Sequence, residues 1–316
     1  MIEAINFCDE SYGMSASLNL LTAKIIGRVN SVKTFTMDDI DTAFRQQYSN
    51  ILSQKRGHGY WLWKPYIILK ELQKLDREDY LIYADSGTFY MRNIKEVISY
   101  MRHNNLYIYI GGLPDPEYMY TKRDAFCLLN LDSPAYVETL QFEASFLIIR
   151  KCERSVNFIS KWLELCTIPE LLTDMPNICG KENYQGFIDH RHDQSLLSLL
   201  AKQEKMKWTR GLSTPDRYNS FFSFTDILFP DKKHPTKDQA TNILNTQTSE
   251  YKDKTCKQIF VHTRYKNCNF FVFGFKICIC IMKFLVRNYY FPLTTKLFCK
   301  IYYKKLYALT EGNLDV

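Results

Sequence analysis

A short apolar strand that ends on a carboxylate is the first feature of this chain that could do chemistry. Residues 80–87 read Tyr-Leu-Ile-Tyr-Ala-Asp-Ser-Gly, an apolar run followed by Asp85 and two small residues. A buried strand of this kind delivers its last side chain to the crevice where open α/β sheets bind ligands. Ser86 and Gly87 would let a polar ligand approach the backbone. The alternative is a strand that ends in an ordinary Asp-Ser-Gly turn.

A second cluster combines cations with tryptophans. Residues 56–65 read Arg-Gly-His-Gly-Tyr-Trp-Leu-Trp-Lys-Pro. Arg56 and Lys64 are residue types that bind a diphosphate, and Trp61 and Trp63 could stack on a ring. The two tryptophans could equally anchor the start of a helix in the core. Lys64 and Arg56 are therefore the stronger binding candidates.

A third cluster lies ahead of a leucine-rich helix, where residues 190–195 read His-Arg-His-Asp-Gln-Ser. Asp193 fits the N-cap of that helix. A cap needs only one short acceptor, however, and leaves the two histidines, Arg191 and Gln194 unexplained. A carboxylate at a helix N-terminus is also kept ionised by the helix dipole, as an electrostatic or acceptor-binding group requires. His262, after a late strand, could bind a metal or a phosphate oxygen, although a lone histidine is more often structural.

The elements that must position these residues alternate between strands and helices. Strands are predicted near residues 4–8, 32–35, 80–84, 106–110, 146–149 and 259–261, and helices near 17–26, 38–52, 65–75, 94–103, 155–166 and 193–202. This alternation predicts an α/β fold with a mostly parallel sheet covered on both faces by helices. No GxGxxG or P-loop pattern is present, which argues against dinucleotide and NTPase folds.

Composition and charge limit the classes of protein. The 316 residues are 46% hydrophobic and 24% charged, which allows one large domain and excludes a wholly disordered chain. The ten cysteines lack the spacing of zinc or redox pairs, and the N-terminus shows no secretory pattern. We therefore expect reduced thiols in a cytoplasmic protein.

The basic charge is concentrated in the C-terminal tail. Residues 254–310 contain eleven Lys or Arg and no acidic residue, so the rest of the chain is net acidic although the whole carries +7. Two helical patterns there place basic residues beside apolar ones, namely Lys276, Lys283 and Arg287, then Lys296, Lys300 and Lys304. No uncharged run reaches the ~20 residues that span a bilayer. The pattern favours peripheral association with an anionic membrane surface. The alternative is a helical pair packed on the main domain, and nucleic-acid binding is not favoured because no known motif is present.

Three segments together resemble a known family. Gly-Tyr-Trp-Leu-Trp-Lys-Pro-Tyr at 59–66, Tyr-Ala-Asp-Ser-Gly at 83–87 and His-Asp-Gln-Ser at 192–195 are similar to nucleotide-sugar-dependent glycosyltransferases of the GT-A fold. The chain most resembles small transferases of bacterial and viral surface-polysaccharide clusters, and more distantly the glycogenin-like group. The resemblance implies a GT-A-like (Rossmann-like) catalytic domain over 1–265, followed by a basic helical tail over 266–316.

The resemblance also implies an activity and a set of site residues. The expected enzyme is a hexosyltransferase that moves a sugar from a nucleotide-diphosphate donor, expected to be a UDP-sugar, to a glycan or lipid-linked acceptor in surface polysaccharide or glycoconjugate synthesis. Carried over by position, the donor-binding residues are Phe7, Tyr12, Gly13, Arg56, Lys64, Asp85, Ser86 and Arg264. The expected catalytic residues are Asp193, Glu143 and Gln194, and the expected ligands of Mn²⁺ or Mg²⁺ are Asp85 and His262.

One position departs from the family pattern. The second acidic residue of the Asp-x-Asp metal motif is Gly87 in this chain. A divalent cation could still bind through Asp85 and phosphate oxygens, or Lys64, Arg56 and Arg264 could neutralise the diphosphate without a metal. The competing function is a non-catalytic membrane-surface scaffold that retains a nucleotide-sugar-binding fold.

Overall fold

The computed structural model describes residues 1–207, 209–213, 256–263, 269–285 and 288. Their contacts divide the chain into two units, the first holding the described residues up to 263 and the second holding the helix of residues 270–285. Arg264 lies outside the described residues, as do the polar segment 231–254, whose sequence predicts a loop or linker, and the second predicted tail helix with Lys296, Lys300 and Lys304. The predicted domain boundary at 265 stays a prediction.

The first unit is built on a six-stranded sheet with the order β2-β1-β3-β6-β5-β7. Its strands, with the pair that forms a small second sheet, are β1 (Ile2–Phe7), β2 (Ser31–Phe35), β3 (Tyr80–Ala84), β4 (Thr88–Tyr90), β5 (Ile108–Pro116), β6 (Leu140–Arg150), β7 (Thr209–Arg210) and β8 (Phe260–His262). All strands of the main sheet run parallel except β6, which is antiparallel to β3 and β5. β4 and β8 pair antiparallel in the second sheet.

Helices connect and cover these strands. They are α1 (Gly13–Thr22), α2 (Thr42–Gln47), α3 (Ser49–Leu52), α4 (Trp63–Leu72), α5 (Lys95–His103), α6 (Glu117–Tyr120), α7 (Arg123–Leu128), α8 (Pro134–Val137), α9 (Glu153–Cys166), α10 (Pro169–Leu172), α11 (Asp193–Gln203) and, in the second unit, α12 (Phe270–Leu285). The alternation of strand and helix yields the predicted mostly parallel sheet between helical layers. The predicted α/β class, a mostly parallel sheet flanked by helices, is confirmed.

The central strand β3 is buried on both faces, which explains its continuous apolar sequence. Leu81 and Tyr83 pack with α4, α9 and α11 in one core cluster. The alternate residues Ile82 and Ala84 pack on the opposite face with α5 and the second sheet. Because neighbouring side chains of a strand point to opposite faces, β3 packs into both core clusters. This packing on two faces holds the end of β3 rigidly.

Several predicted elements have different bounds. The predicted helix at 38–52 is divided between α2 and α3, because Tyr48 has φ −111° and ψ 29° and interrupts the helix. The strands predicted at 106–110 and 146–149 are parts of the longer β5 and β6. The pairing of β5 with β6 contains two register shifts. These shifts break the alternation of apolar and polar residues, so the sequence pattern predicts only one end of each strand.

A left-handed turn leads into α4. Five consecutive residues, from Gly57 to Trp61, have positive φ angles, a conformation that costs each non-glycine residue about 1–2 kcal/mol. A Cβ at Gly59 would lie 2.6 Å from the Cα atom of Leu52, so the close approach requires glycine. The turn places Trp63 on the ring of Phe7, with the ring centroids 3.7 Å apart. It therefore fixes the start of α4, and with it Lys64.

The helix of the second unit has an apolar and basic surface. α12 exposes Phe270, Phe271, Phe275 and Met282. It carries Lys276 and Lys283 and no acidic residue. α12 thus provides the first of the two predicted tail helices. Among the described helices, none combines the length and apolar character that crossing a bilayer requires.

Candidate active site

Polar residues gather at one edge of the main sheet. Asp85 follows β3, and Asp9 lies just beyond β1. Asp115 lies near the end of β5, while Gln141 lies near the start of β6. Because β1, β3 and β5 are parallel and β6 is antiparallel to its neighbours, these four strand ends share an edge. This is the edge at which open α/β sheets bind ligands.

The turn after β3 is fixed by hydrogen bonds from three directions. The backbone N–H of Asp85 donates to the Ser145 carbonyl at 3.0 Å. The Thr88 hydroxyl donates to the Asp85 carbonyl at 2.6 Å, and the buried Asn19 amide donates to the Thr88 carbonyl at 3.0 Å. The Tyr83 hydroxyl donates to Asp85 Oδ1 at 2.8 Å. The backbone is therefore rigid, while the Asp85 side chain stays 37% exposed and open to a ligand.

Lys64 lies between two carboxylates beneath this turn. Its Nζ is 2.9 Å from Asp193 Oδ2 and 3.5 Å from Asp85 Oδ1, and it donates to the Ala144 carbonyl at 3.3 Å. Burial alone would lower the pKa of Lys64, but the attraction of Asp193 and Asp85 outweighs it and the pKa is raised. Lys64 is thus a buried, charged ammonium at the ligand edge of the sheet.

The predicted role of Asp193 as an N-cap is wrong. His192 occupies the N-cap position of α11, and Asp193 is the first helical residue. Its carboxylate instead pairs with Lys64, because a buried ammonium requires a counter-charge. Burial raises the pKa of Asp193 to about 6, against the opposing effect of Lys64. His192 has φ 51° and ψ −116°, and strain of this kind concentrates at functional sites.

The two histidines before α11 hold the backbone in place. His190 Nε2 bonds to the Leu171 carbonyl at 2.8 Å, and His192 Nδ1 bonds to the Leu172 carbonyl at 2.7 Å. Burial lowers the pKa of His190 well below its ordinary value and that of His192 to about 4. Both imidazoles are therefore neutral at pH 7 and fix the approach to Asp193, which explains why they accompany it in the sequence.

Arg56 does not join the Lys64 cluster. Its guanidinium is 3.1 Å from Asp189 Oδ2 and 3.4 Å from Asp174 Oδ2. Both partners belong to the segment between α10 and α11. The structure thus pairs Arg56 with that segment and not with Asp85.

The other predicted donor residues surround β1 and β3. Phe7 is buried against Trp63, while Tyr12 and Gly13 lie where β1 leads into α1. Ser86 is partly exposed beside Asp85. Phe7 therefore supports the core beneath the site. Tyr12, Gly13 and Ser86 lie where β1 and β3 end, and their role in binding a donor stays a prediction.

The remaining catalytic candidates lie along β6. Gln194 Nε2 donates to Gln141 Oε1 at 2.8 Å, and Gln194 Oε1 accepts the N–H of Ala144 at 3.3 Å. Glu143 is buried, and a Cβ added at Gly111 would lie 2.5 Å from its Oε1 atom. The structure thus joins Asp193 and Gln194 to Lys64 and Ala144, whereas the Glu143 carboxylate packs against the backbone of β5.

The charge of the cluster fits a divalent cation. Lys64 with Asp85 and Asp193 sums to one net negative charge when all three are ionised, which would repel a diphosphate. His262 lies opposite Thr88 in the β4–β8 pair, next to the Asp85 turn. In the described part of the chain no group of three or more His, Cys, Asp or Glu could hold a metal alone. Mg²⁺ or Mn²⁺ can instead bind one carboxylate together with phosphate oxygens, and Asp85 offers that carboxylate.

Three pairs at this edge are absent from the sequence-based assignment. They are Tyr83 with Asp85, His58 with Asp9 at 2.9 Å, and Arg191 with Asp115 at 2.6 Å. Asp9 and Asp115 each lie where a strand ends, the same signal that identified Asp85. His58 and Arg191 come from parts of the chain distant from Asp9 and Asp115, so no local pattern indicates those two pairs. Tyr83 is two residues from Asp85 and lies in the same apolar run.

The comparisons with known proteins add little to this geometry. No family model and no curated protein matches the sequence. Among the solved structures that match, the apo crystal structure of mouse xyloside xylosyltransferase 1 aligns with a TM-score of 0.41 at 11% identity, over 85% of this chain and 97% of that one. A likeness at this level carries no argument about activity, so the functional conclusion depends on the residues themselves.

Proposed function

We propose that this chain is a glycosyltransferase that moves a sugar from a nucleotide-diphosphate donor to a glycan or lipid-linked acceptor. The observation that carries the proposal is the buried ammonium of Lys64, 2.9 Å from Asp193 and 3.5 Å from Asp85 at the ligand edge of the sheet. A UDP-sugar donor and a place in surface-polysaccharide or glycoconjugate synthesis are parts of the proposal that the family resemblance suggests.

The chemistry requires charge stabilisation at the departing phosphate. As the bond between sugar and diphosphate breaks, negative charge grows on the leaving group and positive charge on the sugar. Preorganised charges at such a position supply several kcal/mol. In the proposed mechanism, Lys64 faces the leaving group without reorganising, because Asp193, Asp85 and the Ala144 carbonyl already fix its position.

Asp193 and Asp85 have different parts in this mechanism. Asp193 is buried and paired, which suits a group that orients Lys64 and presents a negative field to the sugar. Asp85 is partly exposed and would hold the divalent cation, with His262 nearby on β8. The cation supplies a Lewis acid for the phosphate oxygens. Gln194 keeps one N–H of its amide for a sugar hydroxyl, since its other contacts are made with Gln141 and Ala144.

A thermal-shift screen with UDP-, GDP- and CMP-sugars, each with and without Mn²⁺, tests the donor class. A donor present at a hundred times its Kd stabilises the folded state by about 2.7 kcal/mol, so one nucleotide should raise the Tm by several degrees. We expect Mn²⁺ to increase that shift, because the cation offsets the negative charge of the cluster. No shift with any nucleotide would contradict the proposal.

The same preparation separates an enzyme from a scaffold. Gly87 in place of the second acidic residue is the observation that favours a non-catalytic scaffold. A scaffold would show the thermal shift but no release of free nucleotide from the donor over hours. An enzyme would release nucleotide even with water as the acceptor, and an added glycan would increase the rate.

We also propose that α12 docks the protein on an anionic membrane surface, at the cytoplasmic face. Phe270, Phe271 and Phe275 are 69–86% exposed, which is unusual for large aromatic residues and suits burial between lipid headgroups. Lys276 and Lys283 add positive charge that such a surface attracts, at about 1 kcal/mol for each lysine. This placement would bring the transferase to a lipid-linked acceptor.

Co-sedimentation with liposomes measures this association. Replacing Phe270, Phe271 and Phe275 together by alanine should reduce binding to phosphatidylglycerol vesicles at least tenfold, because the apolar contact is lost while folding is not affected. The matched control replaces Leu21 and Ile25, apolar residues of the first unit that are 56% and 65% exposed, and should bind like the wild type. If the wild type bound pure phosphatidylcholine vesicles as well as phosphatidylglycerol vesicles, the proposed attraction of Lys276 and Lys283 to an anionic surface would be contradicted.

A further inference from the structure

Arg191 and Asp115 form a restrained, partly open ion pair beside the candidate active site. Arg191 Nη1 is 2.6 Å from Asp115 Oδ2 and donates to Gln141 Oε1 at 3.1 Å. The guanidinium carbon lies over the Tyr120 ring, 3.5 Å from its centroid. The Arg191 side chain is 27% exposed and that of Asp115 10%. Contacts with Gln141 and with the Tyr120 ring thus hold the pair in place, while part of the Arg191 side chain stays accessible to solvent.

A buried hydrogen-bond network fixes the orientation of the Gln141 amide that contacts this pair. The Gln141 amide donates to Glu117 Oε1 at 3.1 Å, so its oxygen must face the other way. That oxygen accepts both Arg191 Nη1 and Gln194 Nε2. Glu117 is itself fixed by the Ser198 hydroxyl at 2.6 Å and by Lys202. The outward N–H groups of Arg191 and Gln194 are therefore preorganised rather than free to flip.

The position of the pair along β6 separates it from the phosphate end of the site. Ala144 contacts Lys64, and Gln141, three residues earlier on the same strand, contacts Arg191. Three residues of strand span about 10 Å. In the proposed mechanism the phosphate lies at the Lys64 end of this stretch. The attached sugar, and beyond it the molecule that receives the sugar, would then lie towards Arg191.

The charge of the pair indicates what it would bind. Asp115 neutralises Arg191, so the pair attracts an anion weakly. Guanidinium N–H groups beside a carboxylate offer donors and acceptors side by side, the arrangement that neighbouring hydroxyl groups of a sugar satisfy. The hydrogen bonds of the guanidinium to Asp115 and to Gln141 both use Nη1, and the proposal assigns the donors on Nε and Nη2 to a ligand.

We propose that Asp115, Arg191 and Gln194 form the acceptor subsite, and that it selects a neutral, hydroxyl-rich sugar over a phosphate- or carboxylate-bearing one. This inference rests on the proposed transferase function and names the acceptor class for it. Arg191 and Asp115 would contact acceptor hydroxyls directly, and Glu117 acts as a positioning residue through Gln141.

Steady-state kinetics with the full-length protein tests the subsite. The donor is the nucleotide sugar that gives the largest thermal shift, and the acceptor probes are methyl glycosides of glucose, galactose and xylose, compared with methyl glucuronide and glycerol 3-phosphate. Nucleotide release is measured without acceptor, as donor hydrolysis, and with acceptor. We expect Arg191→Gln and Asp115→Asn to raise the acceptor KM at least tenfold, with donor Kd and donor hydrolysis changed less than twofold.

A matched control lies at the other end of β6. Arg150 pairs with Glu78 at 3.3 Å near the opposite edge of the sheet, and Arg150→Gln should leave both kinetic parameters unchanged. An equal rise in donor Kd and acceptor KM in the Arg191 variant would overturn the assignment to the acceptor. Acceleration of the wild type by the anionic probes and not by the neutral glycosides would overturn the proposed class. A wild type that neither binds nor hydrolyses any donor refutes the transferase function itself.

Discussion

Replacing Lys64 by methionine is expected to lower the free energy of unfolding by about 3–5 kcal/mol and to abolish sugar transfer. Methionine matches the length of the lysine stem but leaves the buried Asp193 without its cation, and breaking a buried pair on one side carries a cost of this size. Chemical denaturation followed by circular dichroism measures the stability change. Nucleotide release from the donor measures the activity.

The pH dependence of this loss has a defined sign. The pKa of Asp193 is raised to about 6 in the folded protein by burial, above the ordinary value of about 3.9. The folded state thus binds that proton more tightly, which favours folding at low pH, and this contribution is lost as the pH rises through 6. Without Lys64 the pKa of Asp193 rises further. The Lys64→Met deficit should therefore be larger at pH 8 than at pH 5.

A double variant and a surface control isolate the cause. Lys64→Met combined with Asp193→Leu removes both buried charges and should recover much of the stability without recovering activity, since apolar replacements of buried pairs are often neutral. Lys33→Met breaks a partly exposed pair with Glu71, which keeps Lys74 at 3.0 Å, and should change stability by less than about 1 kcal/mol. If the double variant is no more stable than Lys64→Met alone, the buried pair is not the cause.

The parts of the fold that depend on local pattern were predictable from the sequence. β3 is a continuous apolar run because both its faces are buried, and Asp85 follows it because the chain reaches the ligand edge there. The predicted elements were identified as strands or helices from the same kind of local apolar pattern. The division of the predicted helix at Tyr48 was not predictable, because no glycine or proline marks it.

The pairing within the site was only partly predictable. Lys64 and Asp193 were both identified, but a local rule assigned Asp193 to the N-cap, and only the tertiary fold brings it to Lys64. Arg56 was expected at the diphosphate, but in the structure it forms ion pairs with Asp174 and Asp189. Arg191 and Asp115 are 76 residues apart in the sequence, and only the tertiary fold brings them together. Long-range contacts of this kind have no signature in a single sequence.

Replacing Asp85 by asparagine is expected to reduce the rate of sugar transfer by about 10²–10³-fold with little loss of stability. Loss of one preorganised electrostatic group in an active site has an effect of this size. Asparagine keeps an oxygen that accepts the Tyr83 hydroxyl, and Lys64 retains Asp193 as its counter-charge. Because the Asp85 side chain is partly exposed, we expect the stability to change by less than about 1 kcal/mol.

The variant also tests whether Asp85 holds the cation. If it does, Mn²⁺ should increase the thermal shift given by the donor in the wild type and fail to do so in Asp85→Asn. Asp41→Asn is the matched control, since Asp41 likewise accepts a tyrosine hydroxyl, from Tyr66, and pairs with a lysine, Lys70 at 2.7 Å. It should keep both the rate and the Mn²⁺ response. An Asp85→Asn protein that transfers sugar at the wild-type rate would remove Asp85 from the mechanism. Lys64, positioned by Asp193, would then have to stabilise the leaving phosphate without a carboxylate-bound cation.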